Sequence, residues 1–92
     1  MLERNRNDEK IINPKEQEQL KKNPYVKSVS DKAITYTDEF KRHFITENEN
    51  GKLPREIFEA DGLSEELIGL YRIKTAEKRW RAAYRKSGVE GL

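Results

Sequence analysis

The sequence contains no cysteine, which excludes disulfide bonds and thiolate ligation of a metal or cluster. No apolar run approaches the roughly 20 residues of a membrane span, and the N-terminus MLERNRNDEK lacks the apolar centre of a signal peptide. The single histidine, His43, has no second histidine or cysteine beside it, so no metal site and no cofactor are expected. We therefore expect a cytoplasmic protein of bacterial or phage type, outside the membrane.

Apolar side chains are also scarce. The chain has 92 residues, of which 39 % are charged and 34 % hydrophobic, so it can form one small domain with a modest core. Neighbouring acids such as Asp38 and Glu39 point to different helix faces and do not form a cooperating pair. A glycine-rich phosphate loop and a nucleophile elbow are missing too. The sequence predicts a binding module and not an enzyme.

Residues 1–22 are almost entirely polar, with six basic and five acidic side chains. Pro14 could open a short helix over Lys15 to Lys22, because proline is tolerated at the first helical position. The segment has no patterned apolar face with which to pack. We therefore predict that residues 1–22 form a disordered tail that is dispensable for folding.

Residues 23–36 are predicted to form an extended segment or a small hairpin. Two runs rich in β-branched and aromatic residues, Tyr25 to Val29 and Ala33 to Tyr36, flank a short polar loop. The hairpin could be an arm that touches nucleic acid through Lys27 and Lys32, or a flap that packs on the helices. A lone hairpin is marginally stable, which favours the flap.

Residues 37–92 are predicted to form a bundle of three or four helices. Thr37 caps the first helix, Leu53-Pro54 starts the second, and Ser64 caps a short third helix that reaches Leu70. Helix, glycine turn and helix is the order of a helix-turn-helix unit. The expected core is a set of apolar and aromatic residues: Phe40, Phe44, Ile57, Phe58, Leu63, Leu67, Ile68, Leu70, Ile73, Trp80 and Tyr84.

The last predicted helix, Thr75–Ser87, combines an apolar seam with a basic flank. Thr75 is the expected cap, and Gly88 the expected stop. Arg72 to Lys86 holds seven basic residues and one acid, a local charge of +6 in a chain whose total is +2. Cations are common on solvated faces, but this one-sided charge after a helix-turn-helix pattern favours binding of double-stranded DNA. By contrast, Glu56 to Glu66 holds five acids and no base, so it should face away from DNA.

Three stretches resemble the N-terminal helix-turn-helix of OrfA-type insertion-sequence transposases: Arg79-Trp80, Tyr84-Arg85 with Gly88 to Leu92, and Tyr36 to Lys41. The resemblance covers about Thr35 to Leu92. It implies a homeodomain-like fold that binds transposon ends, with a catalytic transposase subunit as a further partner. The resemblance implies Thr75, Glu77, Lys78 and Arg81 as candidate groove-facing residues, and the basic charge around the last helix adds Lys74 and Arg85 to the candidate DNA-binding set.

The chain departs from this family in the segment Glu65 to Lys74, which lies between the turn and the last helix. Either Glu65 to Leu70 or Thr75–Ser87 is the reading helix, and the acids Glu65 and Glu66 favour the second choice because they would repel phosphates. Two other functions stay open. The same fold could serve a transcriptional regulator, or a protein-interaction module that does not bind DNA.

Overall fold

The computed structural model describes residues 11–92. Helix α1 and a two-stranded hairpin precede four further helices and a terminal 3-10 turn. The elements are α1 Pro14–Lys21, β1 Val26–Val29, β2 Ile34–Tyr36, α2 Asp38–Glu49, α3 Pro54–Ala60, α4 Glu65–Ile68, α5 Leu70–Ser87 and the 3-10 turn Gly88–Gly91. A mostly helical bundle with a small N-terminal hairpin was the predicted fold class, and it is confirmed.

Helix α1 corrects the prediction of a disordered N-terminal tail over its described part. Asn13 Oδ1 accepts from Glu16 N at 2.8 Å, and Glu16 Oε1 accepts from Asn13 N at 3.1 Å, which is a reciprocal capping box. Ile12 and Leu20 are 0 % and 1 % exposed and belong to the core. Ile12 N also donates to Asp31 O at 2.8 Å. Residues 1–10, the other part of the predicted tail, lie outside the described residues.

The hairpin forms where it was predicted, between Asn23 and Thr37. Its strands are antiparallel, with Val29 opposite Ile34 and Val26 opposite Tyr36, and an irregularity in register lies between Val26 and Ser28. Tyr36 is only 7 % exposed and packs into the core. The interpretation of this segment as a packed flap is therefore correct for its second strand.

A side-chain bridge connects the start of the hairpin with the end of α3. Asn23 Nδ2 donates to Asp61 O at 2.8 Å, and Asn23 Oδ1 accepts from Tyr25 N at 2.8 Å. His43, on α2, lies with its Nε2 3.0 Å from Asp61 Oδ2, an ion pair when the imidazole is protonated. The three segments therefore meet at the C-terminal end of α3.

Helices α2, α3 and α4 begin at the predicted residues. Thr37 Oγ1 accepts from Phe40 N at 3.2 Å, and Ser64 Oγ accepts from Leu67 N at 3.3 Å. Pro54 stands at the first position of α3. Gly62, with φ of 83°, occupies the turn between α3 and α4, where the left-handed backbone favours glycine.

Helix α5 begins earlier than predicted. Gly69 has φ of 92° and separates α4 from α5, and its carbonyl accepts from Ile73 N at 3.2 Å. Thr75 consequently lies in the second turn of the helix, so its predicted role as the cap is wrong. The physical reason is Gly69, which allows the chain to change direction and restart a helix at Leu70. The predicted stop at Gly88, with φ of 69°, is confirmed.

The core is centred on Trp80, which is 6 % exposed. Its ring centroid lies 5.3 Å from that of Phe44 and 5.4 Å from that of Tyr36, both edge-on, and Phe58 stacks on it at 6.1 Å. Such edge-on pairs add to the free energy gained by apolar burial. One predicted core residue, Leu70, is wrong, since it is 39 % exposed at the start of α5. The aromatic cluster therefore holds α5 against the hairpin, α2 and α3.

Candidate nucleic-acid interface

Helix α5 presents a buried seam on one side and a cationic face on the other. Ile73, Ala76 and Trp80 are its buried residues, at the spacing of one helical face. The buried seam fixes how the helix is rotated about its axis. The opposite side is therefore held outward by packing and not by charge alone.

The outward side carries three exposed residues of the set predicted to bind DNA. Lys74, Lys78 and Arg85 are all exposed, and their spacing places them on one face. Sequence reasoning omitted Arg79 and Lys86, which are exposed beside that face. In the part of the chain that the structure describes, no acidic side chain forms an ion pair with any of these five cations. Their charge is thus available to a ligand.

Thr75 and Glu77 are half-buried and flank the outward face on opposite sides. Glu77 is the only acid of α5. The extra helical turn at the start of α5 adds Tyr71, which is 39 % exposed and aligns with Lys74 and Lys78 at helical spacing. The earlier start of the helix is the feature that brings Tyr71 into this row.

Arg81 is held by the protein itself. Its Nη1 lies 2.6 Å from Asn48 Oδ1 and 3.2 Å from Glu49 Oε2, at the C-terminal end of α2. Arg81 follows Lys78 by three residues and precedes Arg85 by four, so its position on the helix is on the same side as theirs. Arg81 differs from Lys74, Lys78 and Arg85 because its guanidinium is already engaged by side chains of α2.

A cleft of about 160 Å³ separates the hairpin from α5. The hairpin supplies Lys32, Ala33, Ile34 and Tyr36, and α5 supplies Arg72, Thr75, Ala76, Arg79 and Trp80. Arg72 fixes the two walls, since its guanidinium donates to Lys32 O at 3.1 Å and to Ile68 O at 3.3 Å. The first of these bonds places Lys32 beside α5. Lys32 is one of the two lysines through which the hairpin could touch nucleic acid.

Tyr36 forms part of the wall of this cleft and carries an unusual polar atom. Its hydroxyl oxygen is buried and has no hydrogen-bond partner among residues 11–92. Burial raises the pKa of the Tyr36 hydroxyl well above its usual range, and the positive charge of Arg72 partly offsets this rise. A buried polar group without a partner costs free energy, so its retention in a packed core needs an explanation.

The acidic segment Glu56 to Glu66 forms an ion pair with the residue that precedes it, Arg55. Arg55 Nη1 lies 3.4 Å from Glu65 Oε1, which joins α3 to α4 across the turn. Glu65 and Glu66 occupy the first turn of α4, where carboxylates favour the positive end of a helix. Their position is thus accounted for by the structure of the turn.

Other kinds of site were sought among the described residues. In residues 11–92, no group of three or more histidine, aspartate or glutamate side chains is placed to hold a metal ion. None of the helices α1 to α5 is both long and apolar enough to cross a membrane. The cationic face of α5 and the adjoining cleft are the surfaces that point to a ligand.

Comparison with known proteins agrees with this assignment. The model of the family described as transposon-related HTH domain protein matches residues 7–90, and this match supports DNA binding. No curated protein and no solved structure matches the chain significantly. The matched range includes α1 and the hairpin as well as the helices that follow. The chain therefore belongs to the family of transposon-related helix-turn-helix domain proteins.

Proposed function

We propose that this protein binds double-stranded DNA sequence-specifically and recognises the ends of a mobile element. The observation that carries the proposal is the outward face of α5, where Lys74, Lys78 and Arg85 project from a helix locked by the Trp80 cluster. A helix with such a face fits the major groove, which is about 12 Å wide. At about 1.5 Å per residue, α5 is long enough to follow the groove over its 18 residues.

The two ends of α5 take different roles in this proposal. Recognition helices present their N-terminal residues to base edges, which assigns base contacts to Tyr71, Lys74 and Lys78. Arg85 and Lys86, in the last turn, neutralise backbone phosphates. The proposed reading helix is thus Leu70–Ser87, longer at its start than the Thr75–Ser87 expected from sequence.

The remaining predicted residues support the helix. Arg81 is tied to Asn48 and Glu49, so it holds α5 against α2 and contributes to the electrostatic field more than to direct readout. Thr75 borders the cleft, and Glu77 is half-buried. Direct readout is therefore assigned to a smaller set than the sequence interpretation contained.

The mobile-element role extends the proposal to partners and compartment. The resemblance to OrfA-type proteins implies that a separate catalytic transposase subunit cuts the DNA strands, while this chain supplies recognition of the element ends. Such a complex would act on the genome in the bacterial cytoplasm. The family match to transposon-related proteins supports this role over general transcriptional regulation.

Binding to duplex DNA tests the proposal directly. Fluorescence anisotropy with a random-sequence duplex at several salt concentrations should show affinity that falls steeply as salt rises, because bound phosphates release counterions. Selection from a randomised duplex library should then enrich one motif. If affinity is negligible even at low salt, the chain is an interaction module and the proposal fails.

Single variants test the role of α5. Lys74→Ala should cost about 1–3 kcal/mol on the selected motif and little on random duplex, as expected for a base contact. Arg85→Ala should weaken both duplexes alike and reduce the salt slope by about one. Lys15→Ala, an exposed lysine of α1, is the matched control and should bind normally. A selected motif that recurs at promoters and not at element ends would favour a transcriptional regulator.

A further inference from the structure

We propose that the cleft between the hairpin and α5 binds one backbone phosphate of the DNA, held by Lys32, Arg72 and Arg79 and by the Tyr36 hydroxyl. The inference rests on the proposed DNA-binding function and adds to it a second element, the hairpin. It assigns the hairpin to phosphate binding beside the reading helix. The ligand class is a phosphodiester.

The charge of the cleft is the first argument. Three cationic side chains line a space of about 160 Å³, and no acidic side chain is among the lining residues. Like charges held together repel one another, and an anion between them removes that repulsion. Arginine in particular offers a planar fork of donors that matches phosphate oxygens. A site of this composition favours an anion over a neutral ligand.

The size of the cleft is the second argument. Its volume of about 160 Å³ corresponds to roughly five water molecules at the volume each occupies in the liquid. This is room for one phosphate group with part of its hydration. The cleft is also open to solvent, as a phosphate within a continuous strand requires.

The Tyr36 hydroxyl is the third argument and is independent of charge. The residue is 7 % exposed, lines the cleft, and has a buried hydroxyl without a partner among the described residues. A phenylalanine would fill the same space without that cost. A phosphate oxygen would supply the acceptor. The hydroxyl is covered in this structure, so the proposal requires side chains of the cleft wall to move when the phosphate binds. Lys32 and Arg79 in that wall are exposed and have long flexible stems.

The position of the cleft relates it to the reading helix. Thr75 and Arg79 line the cleft from α5 and directly follow Lys74 and Lys78 of the outward face. The cleft consequently runs along the flank of α5. A helix inserted in the major groove has a sugar-phosphate strand on each flank, so in the proposed complex one of these strands would pass the cleft.

Arg72 has a positioning role in this arrangement. Its bonds to Lys32 O and Ile68 O hold the hairpin loop at a set distance from α5, while its charge contributes to the cleft. Removing Arg72 would alter the hairpin as well as the site. The test therefore uses Arg79, Lys32 and Tyr36, whose substitutions leave the Arg72 bridge in place.

The test measures affinity and salt slope for random duplex DNA with the full chain. Arg79→Ala and Lys32→Ala should each weaken binding about 5–10-fold and reduce the slope by about one, the loss of one phosphate contact. Tyr36→Phe should weaken binding about threefold or more at an unchanged slope, because it removes a neutral donor. It should also keep or raise the melting temperature, which excludes unfolding as the cause.

Matched controls and a second ligand complete the experiment. Tyr84→Phe, which removes a hydroxyl from a half-buried tyrosine of α5, and Lys15→Ala should bind like wild type. If the cleft variants bind DNA normally while Arg85→Ala is weakened, the cleft inference is overturned and DNA binding stands. If the wild-type chain does not bind DNA, both fail. If inorganic phosphate saturates the cleft by NMR while Arg79→Ala leaves DNA affinity unchanged, the site belongs to free phosphate, and the DNA inference is overturned.

Discussion

Helices α1 and α5 differ in how they use their charged residues. Helix α1 carries two bases and two acids, and it is joined to the core through Leu20 and the preceding Ile12. Helix α5 carries seven bases and one acid on a seam of three buried residues. A balanced helix needs no ligand to offset its charge. Lys74, Lys78 and Arg85 on its outward face have no acidic partner within the described region, and this is why that face is proposed as the binding surface.

The two helices also differ in what makes them stable. The first turn of α1 is held by the Asn13–Glu16 capping box, and only its ends reach apolar neighbours. The start of α5 has no side-chain cap, and its stability comes from the aromatic cluster around Trp80. Most helical stability in proteins comes from packing of an apolar face. We therefore expect mutations in the seam of α5 to lower the free energy of unfolding more than mutations in α1.

The largest effect is expected at the seam of α5. Trp80→Ala should lower the free energy of unfolding by about 3–5 kcal/mol, because it empties the centre of the aromatic cluster. Urea unfolding followed by circular dichroism measures this, with the exposed Lys78→Ala as a control that should leave stability unchanged. A cooperative transition at the wild-type midpoint would show that Trp80 is not an anchor.

A smaller but clear loss is expected in α1. Leu20→Ala should cost about 2–3 kcal/mol, in the lower part of the range for buried leucine, because the edge of the core can relax around the space. The exposed Gln19→Ala in the same helix is its control. An unchanged unfolding midpoint for Leu20→Ala would mean that α1 is dispensable, as the sequence alone suggested.

The pH dependence of stability tests the residue that connects the hairpin to α5. The pKa of Tyr36 is raised in the folded state, so above about pH 10 the unfolded chain loses this proton first, and folding is disfavoured by at most about 1.4 kcal/mol per pH unit. Below pH 10 the residue should have no effect on this slope. Urea unfolding at several pH values should show a shallower alkaline loss for Tyr36→Phe, and equal slopes would contradict the burial of this hydroxyl.

The smallest effect separates two arginines of α5. Arg81→Ala should cost about 0.5–1 kcal/mol, since it removes a partly exposed ion pair and a hydrogen bond to Asn48. Arg79→Ala should leave the free energy of unfolding within about 0.5 kcal/mol of wild type, as for an ordinary surface substitution. Thermal unfolding of both variants provides the measurement. Equal losses would show that the Arg81 contacts are not stabilising.

Sequence patterns predicted elements whose apolar residues recur at a regular spacing or whose ends carry clear caps. Phe40 and Phe44 after Thr37, and Ile57 and Phe58 after Pro54, are of this kind. The sequence allows a short helix after Pro14 but favours disorder, because Leu20 alone defines no periodic face. The Asn13–Glu16 pair three residues apart was the signal that could have identified it.

The candidate site was predicted in part, because local composition and helical spacing can be read from the sequence. The excess of bases on α5 is visible in the sequence, and Lys74, Lys78 and Arg85 are exposed on one face as expected. The bond of Arg81 to Asn48 and the meeting of Lys32 with Arg72 join residues that are 33 and 40 positions apart. No local pattern encodes such pairs.

The amino-acid sequence by itself determined the helical class, the hairpin, the glycine stops and the concentration of positive charge near the C-terminus, because these depend on local backbone preferences and on composition. Tertiary structure decided which of those charges are neutralised, which side of α5 faces outward, and that a cleft forms between Lys32 and Arg79. Packing around Trp80 sets the rotation of α5 and its distance from the hairpin. Those quantities depend on contacts between distant residues, so they arise only when the chain has folded.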